Sequence, residues 1–405
     1  MPDGMHSLDL PALDRRTRAE VAHERHGLGR HRLGVVAVDG VATETGTDGN
    51  CRCAYANQPR SPVQSTVQWV THACPRYRPQ PGWVKQRALD WSLVPVVMPL
   101  LDLIVGYDCN LGCDYCTITQ AMRRRALPAA AAAEALAQGR TDGFETLSIT
   151  GGEPTIFAHL LPLVRRAKAL GYRDIKVQSN GLMWAQQANV DRAIAAGVTR
   201  FSVSIHSHQR DTYHRIVRRD GTYEAMVAGL SNLVRASVPL SADVIVMRQT
   251  ADSLTEAVVW LDALGVRHAD FWFVSLTDGN ASNHDSMPRM TEAVPQMRAA
   301  FAKARDLNMQ VRSLHVPRCL LAEDHTHAYD PASVGVRVVT PDATFDLSRS
   351  RLTGQVHVPA CDGCVHEPVC PGVRQDYLDR YGDGEIAVRR GQPPTRSGVV
   401  KMPTV

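Results

Sequence analysis

The chain has 405 residues, 44% of them hydrophobic and 21% charged, and 45 Lys+Arg against 41 Asp+Glu leave a formal net charge of +4. That length suggests two or three domains at about 150 residues each, and the composition is that of a globular protein, not a fibrous or wholly disordered one. So small a charge, without long cationic runs, disfavours a nucleic-acid coat and a polybasic membrane anchor.

Residues 1–95 are irregular, with strand-like runs only at 34–41 and 65–70, and give no confident fold. Residues 1–16 lack the basic-then-apolar pattern of a secretory signal. The longest apolar stretch, 91–105, is broken by Pro95, Pro99 and Asp102 and is shorter than the ~20 residues of a membrane-spanning helix. A soluble, cytoplasmic protein is expected, with no membrane and no nucleic acid among its partners.

From about 98 to 275 apolar strands alternate with helical patterns, as in a parallel α/β sheet. Strands are expected at 100–106, 146–150, 174–179, 200–206, 241–247 and 269–274, and helices at 129–138, 159–169, 185–196, 223–235 and 253–264. Six such units make a partial (β/α)6 TIM-like barrel, whose chemistry gathers at the C-terminal ends of the strands. After a helix near 291–307 the pattern weakens into a cysteine-containing segment, and the tail from 389, rich in Pro, Gly and Arg, is expected to be mobile. The expected layout is therefore an N-terminal extension (1–95), a barrel (96–300), a small C-terminal domain (301–388) and a tail (389–405). No repeat at solenoid spacing is present.

The ten cysteines fall into three groups: Cys51, Cys53 and Cys74; Cys109, Cys113 and Cys116; and Cys319, Cys361, Cys364 and Cys370. In a protein read as cytoplasmic they favour metal ligands or catalytic thiols over a disulfide framework. The middle group, CxxxCxxC, follows the first strand. Three thiolates at this spacing can take three corners of a [4Fe-4S] cluster and leave one iron open, whereas structural zinc usually takes four ligands. A zinc knuckle completed by a distant His is the alternative.

With the aromatic Tyr115 before its last cysteine, this motif resembles the radical S-adenosylmethionine (SAM) superfamily over roughly residues 98–275. The resemblance implies that SAM chelates the open iron through its amino and carboxylate groups. One electron then splits it to methionine and a 5′-deoxyadenosyl radical, which removes a substrate hydrogen atom. It also places Tyr115 near the adenine. Gly151-Gly152-Glu153-Pro154, after the second strand, is similar to the family's GGEP turn. There glycines allow close backbone approach and the Glu153 carboxylate suits a cationic amino group; an ordinary strand-to-helix turn reads the same way alone.

The third strand ends in Gln178-Ser179-Asn180-Gly181, similar to the family's Gln-Thr-Asn-Gly. Ser179 and Asn180 could serve the SAM ribose, the substrate, or only a polar turn. In the fourth strand, alternation sets Phe201, Val203 and Ile205 on one face and Ser202, Ser204 and His206 on the other. Ser204 is a candidate SAM contact. His206 stands where many relatives carry an acid, and substrate binding, a catalytic proton relay and a local hydrogen bond are equal readings of it. Arg218 matches an arginine that binds the SAM carboxylate in relatives, with Arg215 and Arg219 as competitors. Val246 and Met247 could pack on the adenine, as any apolar pair could.

The last group, CxxCxxxxxC with Cys319 upstream, can ligate a second, auxiliary [4Fe-4S] cluster; zinc is the alternative. It resembles the SPASM extension of radical SAM barrels. The next cysteine of that pattern is replaced by Arg374, and one upstream cysteine stands in place of a pair, so the single-cluster twitch form fits better. A cluster ligated by four thiolates has no open iron, which favours electron transfer over substrate chelation as its task. Cys51, Cys53 and Cys74, with His72 nearby, read as a third metal site, a catalytic thiol or inert residues.

The reading is a radical SAM enzyme that oxidises, epimerises or cross-links an unactivated carbon of a natural-product small molecule or peptide, with an electron donor such as flavodoxin or ferredoxin. The alternatives are a radical SAM methyltransferase or sulfur inserter, and a non-catalytic iron-sulfur redox or interaction protein.

Overall fold

Short apolar strands separated by amphipathic helices leave the chain one economical arrangement, a parallel sheet with helices on its outer face. The computed structural model describes residues 41–45, 51–55, 99–330, 334–349 and 355–386. Strands β3 (Leu100–Ile104), β4 (Thr146–Thr150), β5 (Asp174–Ser179), β6 (Arg200–Ile205), β7 (Leu240–Val246) and β8 (His268–Phe273) follow one another in sheet order, each parallel to the next. They correspond to the six expected strands within one or two residues at each end. Helices α1 (Ala129–Thr141), α2 (Leu160–Ala169), α3 (Gln187–Ala196), α5 (Tyr223–Arg235) and α6 (Leu254–Ala263) lie in the connections. In α5 the buried Met226, Gly229, Leu230 and Leu233 recur at the helical spacing of a core-facing stripe.

The structure differs from the six-unit expectation in four places. Helix α4 (Arg210–Val217) was not anticipated: its buried stripe of Tyr213, Ile216 and Val217 spans barely one turn of an eight-residue segment, too short for the period to stand out in sequence. The helix expected at 185–196 is a 3-10 turn, Leu182–Ala185, followed by α3. The boundary expected at residue 300 falls inside α7 (Met290–Asp306), and a seventh parallel strand, β9 (Gln310–Leu314), pairs with β8. Its Arg312 breaks the apolar run that would have marked it. Finally, β10 (Val336–Val339) adds parallel to the far edge of β3 and carries the antiparallel β11 (Thr344–Asp346), so the sheet has nine strands.

Alternation along β6 behaves as expected. Phe201, Val203 and Ile205 are buried in the core, while the Ser202 hydroxyl donates to Asp243 of β7 at 2.7 Å. The inner face of the sheet is correspondingly polar. Arg312 holds Asp270 through two bonds of 2.6 Å. Burial pushes the Asp243 carboxyl above its usual range, helped by the charge of Asp270. Burial works against Asp270 too, but His268 and Arg312 hold its carboxyl well below the usual range.

The C-terminal segment continues with β12 (Gln355–Val356), β13 (Val373–Arg374) and α8 (Gln375–Tyr381). The N-terminal unit, Pro11–Val94, contains a hairpin of β1 (Val41–Thr45) and β2 (Cys51–Tyr55), in which Cys51 faces Thr45 and Cys53 faces Thr43 in register. Cys74, His72, the runs at 65–70 and most of 34–41, and the tail from 389 lie outside the described residues. No helix among the described residues is long and apolar enough to cross a membrane.

Candidate functional site

Cys109, Cys113 and Cys116 lie in the loop after β3, at the C-terminal end of the sheet. The loop's backbone is held from several directions. Arg123 donates to the carbonyls of Cys109 (3.1 Å) and Leu111 (2.9 Å). Arg219 donates to the Asn110 carbonyl at 2.5 Å. The N–H groups of Gly112 and Asp114 donate to the carbonyls of Val217 (3.1 Å) and Ile216 (2.9 Å) at the end of α4. Burial pushes the Cys109 thiol up to about 11 and Cys113 further, and the neighbouring Cys109 and Cys116 add to the rise at Cys113. A metal entering here must therefore expel protons to gain its thiolates.

Gly151 and Gly152 press directly on this loop. Gly151 sits at φ +138°, and a Cβ there would strike the carbonyl of Gly106; one on Gly152 would strike the carbonyls of Asp108 and Tyr107. The close approach expected of these glycines is thus made to the chain's own cysteine loop. Glu153, 2% exposed, joins two strand ends: one carboxylate oxygen accepts from the Thr155 N–H (3.0 Å) and hydroxyl (2.5 Å), the other from the Asn180 N–H (2.7 Å). Burial raises its pKa against the pull of these bonds. Pro154 opens the short 3-10 turn that follows.

Asn180 reaches the cysteine loop as well, its side-chain amide donating to Asn110 at 2.7 Å. The Ser179 hydroxyl accepts from the Gly181 N–H at 3.0 Å. Tyr115 and His206, separated by 91 residues, meet: the phenol oxygen lies 2.7 Å from Nδ1. Burial raises Tyr115 well above its ordinary value and lowers His206 to about 4. The phenol is therefore the donor, Nδ1 the acceptor, and the neutral ring keeps its proton on Nε2. That Nε2 is buried without a hydrogen-bond partner. Ser204 is half-buried on the inner face; Met247 is enclosed in the core with no exposed surface.

The three competing arginines separate by position. Arg215 bonds Thr212 at 3.0 Å and Arg219 bonds the loop carbonyl. Arg218, at φ 53° beyond the end of α4, borders a cavity of about 410 Å³ together with Cys113, Cys116 and Arg123. A non-glycine residue in the left-handed region is a strained position of the kind found at binding sites. Sequence reasoning missed Arg123, Asn110 and His315. His315 follows β9 at φ 72°, its Nδ1 is 3.1 Å from the Phe273 carbonyl, and its ring stands edge-on to Trp272; a histidine beyond a strand end was the available signal.

Cys319, Cys361, Cys364 and Cys370 border one small cavity with His357 and His366. Arg318 ties this region together, donating to the carbonyls of Val369 (3.1 Å), His325 (2.9 Å) and Ala328 (3.1 Å). Arg374, at the position of the missing cysteine, is buried and paired with Asp376 at 2.9 Å. Among the described residues no three His, Cys, Asp or Glu side chains converge on a single-ion site. Soft sulfur donors in sets of three and four suit the separate corners of iron-sulfur clusters.

Residues 103–261 match the Radical SAM superfamily. A curated "Probable GTP 3',8-cyclase" of Saccharolobus islandicus is 26% identical over 206 residues, which is 50% of this chain and 60% of that protein. The chain thus matches well under two thirds of that relative's length. Among solved structures, Streptococcus suis SuiB bound to S-adenosylmethionine is similar with a TM-score of 0.51 at 12% identity, covering 69% of this chain and 77% of that one. SuiB bound to precursor peptide SuiA gives 0.50 at 12% identity, covering 69% and 75%. These likenesses establish the fold.

Proposed function

We propose, from the match of residues 103–261 to the Radical SAM superfamily, that the chain cleaves S-adenosylmethionine reductively and uses the resulting radical to abstract a hydrogen atom from an unactivated carbon, leading to oxidation, epimerisation or cross-linking. The observation that carries this reading is the assembly at one end of a parallel barrel of the Cys109, Cys113 and Cys116 loop, the Gly151–Pro154 turn and the Tyr115–His206 pair. Cys109, Cys113 and Cys116 would hold the [4Fe-4S] cluster, which supplies the electron and the open iron that SAM needs.

The chain's own residues do the rest. Arg123, Arg219 and the two glycines fix the loop that carries the thiols. Ser179, Asn180, Ser204 and Arg218 offer hydroxyl, amide and guanidinium groups to SAM, and the Glu153 carboxylate braces the β4 and β5 ends beside them. Tyr115 donates to His206 Nδ1 and so holds the ring neutral, with its proton on the buried Nε2. Cys319, Cys361, Cys364 and Cys370 would hold an auxiliary cluster that takes up or relays an electron. Relatives and structural neighbours named for GTP and for a precursor peptide support a small molecule or a peptide as substrate.

Anaerobically reconstituted protein given dithionite and SAM should form 5′-deoxyadenosine, detected by chromatography. S-adenosylhomocysteine as the main product would assign methyl transfer instead, and neither product would leave a redox or interaction protein.

A further inference from the structure

The loop after β8 directs its polar groups at the first cysteine loop. Asn280, 2% exposed, donates through Nδ2 to the Tyr115 carbonyl and to the Ser275 carbonyl, each at 2.6 Å, and its Oδ1 accepts from the Thr277 N–H at 2.8 Å. Both of its amide hydrogens are used, and its oxygen is engaged. Asn283 donates to the Asp114 carbonyl at 2.9 Å, and the Gly279 N–H donates to the Thr117 carbonyl at 2.8 Å. The carbonyls on both sides of Cys116 are therefore held by this loop. Contact is close: a Cβ on Gly279 would lie 2.9 Å from the Cys116 carbonyl oxygen. Asp278 is held at φ 47°, which a non-glycine residue adopts only when its surroundings impose it.

The loop is anchored in turn from the C-terminal segment. Asp376 accepts from the Leu276 N–H at 2.6 Å and from Arg374 at 2.9 Å, with the Arg374 and Asp376 side chains 7% and 8% exposed. A buried ion pair whose acid also receives a backbone N–H leaves Leu276 little freedom, and Asn280 lies four residues on.

We propose that Asn280 is a positioning residue that sets the aim of Tyr115 and Cys116, and that Asp376 fixes the loop from which Asn280 acts. Through this loop the segment bearing the second cysteine group governs the geometry of the first. The inference deepens the radical SAM reading where Cys116 is a cluster ligand, but its first test is independent of that reading. In cluster-free protein, Asn280→Asp keeps the side chain's size and sets a carboxylate against two carbonyls. Hydrogen exchange across residues 113–118 should then accelerate about tenfold or more, the size of effect one lost buried hydrogen bond produces. Asn283→Ala, at a half-buried position, should accelerate the same segment less, and Asp376→Asn should do so from a distance.

In reconstituted protein the Asn280→Asp variant should weaken SAM binding about 10–100-fold, the range for residues that orient metal ligands, and alter the SAM-induced change in the cluster's electron paramagnetic resonance spectrum. Wild-type exchange at 113–118 in all three variants, with only the melting temperature lowered, would overturn the proposal. Should Asn280→Asp fail to fold, Asn283→Ala and Asp376→Asn decide it. Wild-type protein that takes up no iron would overturn the functional reading, while the exchange result would still decide the positioning role.

Discussion

The two described cysteine regions are held in opposite ways. The first is eight consecutive residues at the end of β3, fixed by side chains and backbone from α4, the β8 loop and Arg123. The second joins Cys319 to a run beyond β11 that is built of the three-residue turns Pro359–Cys361 and Glu367–Val369 and the two-residue strands β12 and β13. In the first region the barrel shapes the site. In the second, short turns carry the donors and only Arg318, His357 and the Arg374–Asp376 pair tie them to their surroundings, so a bound cluster would supply more of the organisation.

The largest expected effect separates the two by chemistry. Cys113→Ser should reduce 5′-deoxyadenosine to the uncatalysed background. The pair Cys364→Ser and Cys370→Ser should remove about four irons per chain, keep 5′-deoxyadenosine detectable and abolish the substrate-derived product. Iron analysis and chromatography check both; loss of 5′-deoxyadenosine in the second variant would merge the two regions into one unit.

A second comparison uses glycines. Gly152→Ala forces a Cβ into two carbonyls and should destabilise the protein by about 3 kcal/mol, at the upper end of overpacking costs. Gly363→Ala, at φ 71° between Cys361 and Cys364 with nothing within 4 Å, should cost only about 1 kcal/mol, the strain of the left-handed backbone. Denaturant titration gives both values, and equal costs would contradict the contrast.

Legibility in the sequence followed the same division. The six strands were readable because each is an apolar run closed by Gly, Pro or polar residues, and the site residues because they stand at strand ends. The second cysteine group was readable as spacing, but β10, which pairs with β3, is too short and too distant in the chain to be assigned from pattern. Arg123, Arg219, Asn280 and Asn283 bond to backbone carbonyls, which leave no trace in side-chain order. Choosing among Arg215, Arg218 and Arg219 required knowing where α4 ends.

A further expected effect is pH-dependent and belongs to the barrel. His206 is depressed from 6.5 to about 4 by burial, so between those values the unfolded chain binds a proton that the native chain refuses. Stability is therefore fully present above about pH 6.5 and is lost as pH falls toward 4, by about 3 kcal/mol at most from this residue. Thermal melting of cluster-free protein should decline over that window, and His206→Gln should flatten the decline. An unchanged slope would mean that the ring is already charged in the native chain.

The pairing of β10 with β3 has a consequence for the order of events during synthesis. The Tyr107 hydroxyl, just before the first cysteine loop, donates to Asp342 at 3.0 Å, 235 residues later in the chain, and Arg125 bonds the same carboxylate at 2.6 Å. At ~5–20 residues per second a ribosome needs roughly 12–47 s to deliver that partner. Throughout that interval the edge of β3 that β10 later covers lacks its partner strand, and the chain ahead of the first cysteine loop lacks the carboxylate that ties down Tyr107 and Arg125.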